Sequence, residues 1–187
     1  MRDIKSIFAK YPNDFLSKKY IIEIELKSQT LRLYKNYKLI EKYKISSSKF
    51  GEGCVEGSNK TPLGAHYIKE FIGSDVPVNT IFKNRVPTSQ KVEIVSSQEN
   101  SNEDIISSRI LWLDGLDKGK NKGGNVDSYT RYIYIHGTNE EGLIGEKASH
   151  GLSLIHISEP TRPERISYSV LSLKKKRGGG GGGGGGG

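Results

Sequence analysis

The sequence contains one cysteine, Cys54, one tryptophan, Trp112, and one methionine among 187 residues. A lone thiol excludes an intramolecular disulfide framework and any multi-cysteine zinc site. No apolar run approaches the roughly 20 residues that a membrane-spanning helix needs, which argues against stable membrane insertion. Internal repeats and long amphipathic helices are also missing. So is a face of interleaved aromatic and basic residues, without which a basic charge balance does not make a nucleic-acid binder. What remains, 34% hydrophobic and 27% charged, suits one domain with a modest core.

The formal net charge of +8 is unevenly spread. Residues 152–187 hold six Lys or Arg against Glu159 and Glu164, so half of the excess belongs to this last segment. It closes with Lys174, Lys175, Lys176, Arg177 and ten glycines, a run with no side chains to bury and maximal backbone entropy to lose. Before it, Leu152-Ser-Leu-Ile-His-Ile-Ser-Glu-Pro-Thr-Arg162 resembles the in-frame translation of a transposon-end sequencing adapter. The lysines and glycines resemble A-rich and then poly-G read-through. A real basic tail on a flexible linker is the bland alternative. Residues 152–187 are therefore expected to be an artefactual, disordered tail, with the natural sequence ending at Gly151.

Residues 1–18 read as a lead-in. Residues 3–10 have the spacing of a short helix, with Ile4, Ile7 and Phe8 on one side, and Tyr11-Pro12-Asn13-Asp14 reads as a turn. No signal peptide is visible, since Asp3 interrupts the basic start and no apolar stretch precedes Lys18 and Lys19. From Tyr20 the period becomes two: Ile22, Ile24 and Leu26 alternate with Glu23, Glu25 and Lys27. Turns at Ser28-Gln29 and Asn36 lead to strands through Leu31 and Leu33 and over residues 39–45, which together make an antiparallel meander. Further strands are expected at 66–71, 91–95, 110–113 and 131–135, with a helical turn at 102–107. Residues 46–62 and 118–125 are polar glycine-containing loops. The predicted class is mainly β, a β-sandwich or partly closed barrel with one or two short helices.

Two segments carry chemistry. In Arg131-Tyr-Ile-Tyr-Ile-His136-Gly137-Thr138, an alternating strand delivers a histidine to its end, where glycine lets the backbone turn away. Such a placement holds an imidazole rigidly and suits a general base near neutral pH. Ser149-His150-Gly151 gathers three small-loop residues of the kind that aim backbone N–H groups at a developing oxyanion. Either histidine alone is more often a satisfied core or surface imidazole. A zinc site lacks a third ligand at a sensible spacing, and no cofactor is expected. Lys60, Arg85 and Arg109 read first as solvated charges or loop anchors, Trp112 as core, and Cys54, between Glu52 and Glu56, as incidental.

Together, His136-Gly137-Thr138, Gly145 and Ser149-His150-Gly151 resemble the signature of the L,D-transpeptidase catalytic domain (YkuD-type) family. Thr61-Pro62-Leu63-Gly64 is similar to that family's threonine-proline-x-glycine segment, and Gln29 stands in the first hairpin, where the family commonly has glutamine. The likeness covers roughly residues 19–151, which divides the chain into a lead-in (1–18), an L,D-transpeptidase-like catalytic domain (19–151) and the tail (152–187). One departure stands out. In the family the serine-histidine-glycine is followed at once by the nucleophilic cysteine and, shortly after, by an arginine; here Leu152 follows and the arginine is missing. Leucine has no nucleophilic atom, so the chain as written is expected to be inactive.

The resemblance implies a peptidoglycan L,D-transpeptidase that forms 3-3 type cross-links through a cysteine thioester, a role in cell wall biogenesis and cell shape. A cysteine at position 152 would attack a stem tetrapeptide between its third residue, such as meso-diaminopimelate, and the terminal D-alanine. His136 would take the thiol proton, with His150 as the alternative base. Backbone N–H groups at His150, Gly151 and position 152 would form the oxyanion hole, in a loop shaped by Ser149. An amine from a second stem or a lipoprotein would resolve the thioester, while water would make the enzyme an L,D-carboxypeptidase. A non-catalytic peptidoglycan-binding module on the same fold would need no cysteine. The implied partner is the peptidoglycan stem peptide, without metal, cofactor or nucleic acid. The family works in the bacterial cell envelope or periplasm, but with no export signal visible a cytoplasmic location is also open. Oligomeric state is not legible in the sequence.

Overall fold

The computed structural model describes residues 11, 19–98, 105–149, 152–153 and 168–173. These hold eleven strands and two three-residue 3-10 helices, Gly124–Val126 and Glu141–Leu143. The helix expected at residues 3–10 lies outside the described residues. No helix among those described is long and apolar enough to cross a membrane.

β1 (Tyr20–Glu25), β2 (Thr30–Lys35) and β3 (Lys38–Lys44) form the expected antiparallel meander. The β2–β3 link is a two-residue turn whose residues, Asn36 (φ 49°) and Tyr37 (φ 62°), are both left-handed, the twist that tight hairpins need. β4 (Ser46–Ser47) follows, then β5 (Gly64–Ile72), β6 (Thr80–Lys83), β7 (Val86–Lys91), β8 (Ile106–Gly115) and β9 (Tyr134–Gly137). β10 (Leu152–Ser153) and β11 (Tyr168–Leu173) complete the set. The main sheet runs β3-β2-β1-β11-β5-β8-β6-β7, with β9 on β8, while β10 pairs with β4 in a separate two-stranded sheet. The β1–β11 pair is parallel and the other pairings between strands are antiparallel. The sheet is open, so the mainly β reading holds with curvature short of closure.

Alternation along each strand sorts the apolar side chains onto two faces. Ile22, Ile24, Ile45, Ile68, Leu113, Ile133, Ile135 and Val170 meet in the main core. On the other face of β8 and β9, Ile110, Trp112 and Tyr134 pack with Phe82. The outward carboxylates of β1 meet a cation across the hairpin: Arg32 reaches Glu25 at 2.9 Å and Glu23 at 3.4 Å.

Three expectations need correction. The strand expected at 91–95 lies earlier, as β7, because Asn84 (φ 51°) and Arg85 (φ 69°) turn the chain back at once after β6. Almost every β7 side chain is exposed, so its sequence shows no apolar alternation to read. Residues 106 and 107 open β8 rather than finish a helical turn, because both find strand partners, in β6 and, for Ser107, also at Gly137; residues 102–104 lie outside the described set. The strand expected at 131–135 starts only at Tyr134. The Asp127 carboxylate accepts the N–H groups of Tyr129 (3.0 Å) and Thr130 (3.2 Å) and holds that stretch as a turn.

The disorder expected throughout 152–187 does not extend to β10 and β11. β11 lies between β1 and β5, where each would otherwise present an unpaired edge. Val170 stands between Ile22 and His66 and is fully buried in the main core. A charge there would have neither water nor a partner. Val170→Asp should therefore cost at least about 3 kcal/mol or abolish cooperative unfolding in urea. An unchanged urea midpoint would show that β11 contributes nothing to the fold.

Candidate active site

β9 presents its residues alternately to the two faces of the sheet. Ile133 and Ile135 enter the main core, so Tyr134 and His136 face the opposite side, across from Trp112 and Ile110 of β8. His136 is 7% exposed, buried enough to be held and open enough to be reached. Its Nδ1 lies 2.8 Å from the carbonyl oxygen of Gly137. A carbonyl only accepts, so Nδ1 carries the proton in this contact. Gly137 is required by a close approach: a Cβ there would stand 2.6 Å from the backbone oxygen of Ser107.

The segment that carries Ser149 is assembled from two parts of the chain about one hundred residues apart. Ser46 Oγ donates to the Glu146 carbonyl (2.7 Å) and accepts the Ala148 N–H (3.2 Å). Ser149, 6% exposed, donates its N–H to Ser47 O (3.1 Å), and its carbonyl accepts the Lys49 N–H (2.8 Å). Leu152 stands opposite Ser47 and Ser153 opposite Ser46. β10 and β9 approach to within 8 Å between Cα atoms. Position 152 thus lies near the strand that holds His136, and Ser149 is tied to the same stretch, residues 47–49, that pairs with position 152, whereas His150 and Gly151 lie outside the described residues.

The threonine-proline-x-glycine segment supports this assembly from below. Thr61, fully buried, accepts the Ser48 N–H on its hydroxyl at 3.0 Å. Gly64 has φ 104°, and a Cβ on it would lie 2.2 Å from the Asp117 carboxylate, so only glycine fits. Asn121, also fully buried, donates to the carbonyls of Leu63 (3.0 Å) and Ala65 (3.1 Å) and accepts the Asp117 N–H (2.8 Å). For Asp127, burial pushes the carboxyl pKa up. The N–H groups of Gly123, Thr130 and Tyr129, together with the Lys122 ammonium, outweigh that and hold it below the usual value. Asn121 and Asp127 thus organise the loop before β9.

A second histidine, His66, received no role from sequence reasoning. It is fully buried on β5, with Nδ1 3.2 Å from Gly64 O and Nε2 3.0 Å from the Ser128 hydroxyl. His66 pairs with Gly115 at the end of β8 and His136 with Ile110 in its middle, which sets them against different parts of the strand. No signal in the sequence separates their environments.

Among the bland readings, Trp112 is core, donating Nε1–H to Tyr129 O (3.0 Å) and stacked on the Tyr129 ring at 4.3 Å. Arg85 anchors the β6–β7 turn, donating to the Tyr134 hydroxyl at 3.2 Å. Arg109 donates to the neighbouring Ser108 carbonyl at 2.5 Å. Cys54 is a half-buried free thiol. Among the described residues no three His, Cys, Asp or Glu side chains are grouped as metal ligands would be.

Burial holds the His66 pKa down, from 6.5 to about 4, against the opposing pulls of the Gly64 carbonyl and of Asp117 and Asp114. Between those two values the unfolded chain binds a proton that the folded chain refuses, so stability falls as pH drops through this window. The full loss should approach about 3 kcal/mol. Asp127 acts in a separate window, below the ordinary carboxylate pKa. Urea unfolding over this pH range should show a steep slope for the parent that is shallower in His66→Gln. Equal slopes would mean that His66 is not held neutral.

The L,D-transpeptidase catalytic domain (YkuD) profile matches residues 19–151. A search of curated proteins finds no match. Among solved structures, the chain is similar to an L,D-transpeptidase mutant from Enterococcus faecium, with 16% identity, covering 83% of this chain and 50% of that one at a TM-score of 0.44. For L,D-transpeptidase 3 from Mycobacterium tuberculosis in complex with a faropenem-derived adduct, the identity is 12%, the coverage 83% and 60%, and the TM-score 0.46. For the helical cell shape determining protein Pgp2 from Campylobacter jejuni, the values are 15%, 86% and 49%, and 0.41. The chain therefore spans between 49% and 60% of the length of these structures. With the profile matched from the residue before β1 through the loop that carries Ser149, the chain belongs to the L,D-transpeptidase catalytic-domain family.

Proposed function

We propose that residues 19–151 are the catalytic domain of a peptidoglycan cross-linking enzyme whose nucleophile belongs at position 152, and that the chain with Leu152 is inert. The observation that carries this reading is the approach of β10 to within 8 Å of the strand that holds His136. The Nδ1–H bond to Gly137 O supports it, because it fixes the orientation of the ring on its strand.

In the repaired site, a thiol at position 152 passes its proton to His136 Nε2. The thiolate attacks the carbonyl carbon between the third stem residue and the terminal D-alanine. Negative charge on that oxygen is met by backbone N–H groups at His150, Gly151 and position 152, in the loop that Ser149 shapes. The C–N bond then breaks, His136 returns its proton to the departing amine of D-alanine, and a thioester remains. An amine from a second stem attacks the thioester and gives a 3-3 cross-link; a lipoprotein amine or water would give attachment or trimming instead. His150 is the alternative base. The stem-peptide substrate puts the reaction in the bacterial cell envelope.

A second reading rests on Leu152 itself. A domain that binds stem peptides without acylating them needs no thiol there, and sequencing the genomic locus across codon 152 separates the two. For the enzymatic reading, the full chain carrying Leu152→Cys should gain the mass of one carbapenem in intact-mass spectrometry, and the parent chain should gain none. Adding His136→Ala should slow that acylation by about a hundredfold or more, and His150→Ala should slow it less. Carbapenem labelling of the parent, or none of the Leu152→Cys chain, would overturn the reading.

A further inference from the structure

Gln29 occupies the β1–β2 turn with φ 47°, a left-handed conformation that glycine or asparagine adopts at lower cost than glutamine. What glutamine adds is its side-chain amide, which is buried with the residue 4% exposed. Oε1 accepts the Ser47 N–H at 2.7 Å. Nε2 donates to Ser47 Oγ at 2.8 Å and to the Leu26 carbonyl at 2.5 Å. The Gln29 backbone carbonyl accepts the Ile45 N–H at 2.9 Å. Ser47 is itself 2% exposed, so water does not compete for these bonds.

Ser47 is where the two limbs of the 149–152 loop meet. Its carbonyl accepts the Ser149 N–H at 3.1 Å, and across the strand pair it stands opposite Leu152. Gln29 thus grips residues 45–47 from one side, while Thr61 grips Ser48 from the other at 3.0 Å. Any shift of Ser47 moves position 152 relative to β9.

We propose that Gln29 is a positioning residue: through Ser47 it sets the distance from the group at position 152 to His136. The proposal rests on the reading that a thiol belongs at 152 with His136 as its base. Thiol and imidazole exchange a proton only in close contact, and a misplacement of about 1 Å is enough to cost on the order of a hundredfold. A glutamine that merely tied the hairpin to β4 would affect stability and leave the thiol–imidazole pair unchanged.

The test uses the full chain with Leu152→Cys, alone and combined with Gln29→Gly. Glycine suits the left-handed turn and removes the side chain with its amide, so the turn is kept while Ser47 N–H loses its partner. Alkylation by iodoacetamide is followed against pH by peptide-resolved mass spectrometry, with Cys54 as an internal reference. With Gln29 present, position 152 should stay reactive at about pH 6.5, because the imidazolium stabilises the thiolate. Gln29→Gly should lower that rate at least tenfold, leave the rate at about pH 9.5 within twofold, and move the profile toward an ordinary thiol near 8.5. If Gln29→Gly fails to melt cooperatively, Gln29→Asn decides by the same readout, since asparagine tolerates the turn but is one methylene too short to reach Ser47. An unchanged profile in a folded variant overturns the role of Gln29 and leaves the proposed function standing. An ordinary profile already in Leu152→Cys with Gln29 intact overturns the pairing with His136, and the role of Gln29 with it.

Discussion

The site depends on one short stretch of backbone pairing. Residues 46–49 hold the incoming limb of the 149–152 loop through the two Ser149 bonds, and β4 within that stretch holds the outgoing limb through the pairing of Ser47 with Leu152. A two-residue strand has little stability of its own. Its order comes from buried side chains outside it: Gln29 on one side, Thr61 on the other, and Ser46 turned back to Glu146 and Ala148. Each of these bonds lies where solvent is largely excluded, so losing a partner would leave a buried polar group unsatisfied.

The two described histidines show how the same side chain is given opposite tasks by its surroundings. His66 is sealed between Gly64 O and Ser128 Oγ, and burial keeps it neutral down to about pH 4. His136 stands opposite the middle of β8, with Nδ1 committed to the next carbonyl along its own strand. The first is a fixed part of the scaffold, and its Asn121, Asp117 and Asp127 neighbours hold the loops that precede β9. The second is held at Nδ1 by that carbonyl, on the strand that β10 approaches.

Much of the fold was legible because half-buried antiparallel strands write a period of two. Ile22, Ile24 and Leu26 announced β1, and the run into His136 announced the end of β9. Legibility failed where that cause was absent. β7 is exposed on nearly every residue, so nothing alternates. The start of β9 is hidden because a carboxylate, Asp127, turns a stretch that looks extended by composition. β11 was read as part of a disordered tail, and only the open edges of β1 and β5 show what Val170 is able to fill.

By itself the sequence determined the class, the family signature and the identity of the residue at position 152, since these rest on local pattern and on covalent chemistry. It could name His136 and Ser149 and point to the hairpin glutamine, but it could not tie the glutamine and Ser149 to one stretch of backbone. That was decided by tertiary structure, because the bonds from Gln29 to Ser47 and from Ser46 to residues 146–148 span 18 and about 100 residues. Contacts at such separations depend on how the whole sheet closes around its core, which no local period or propensity records.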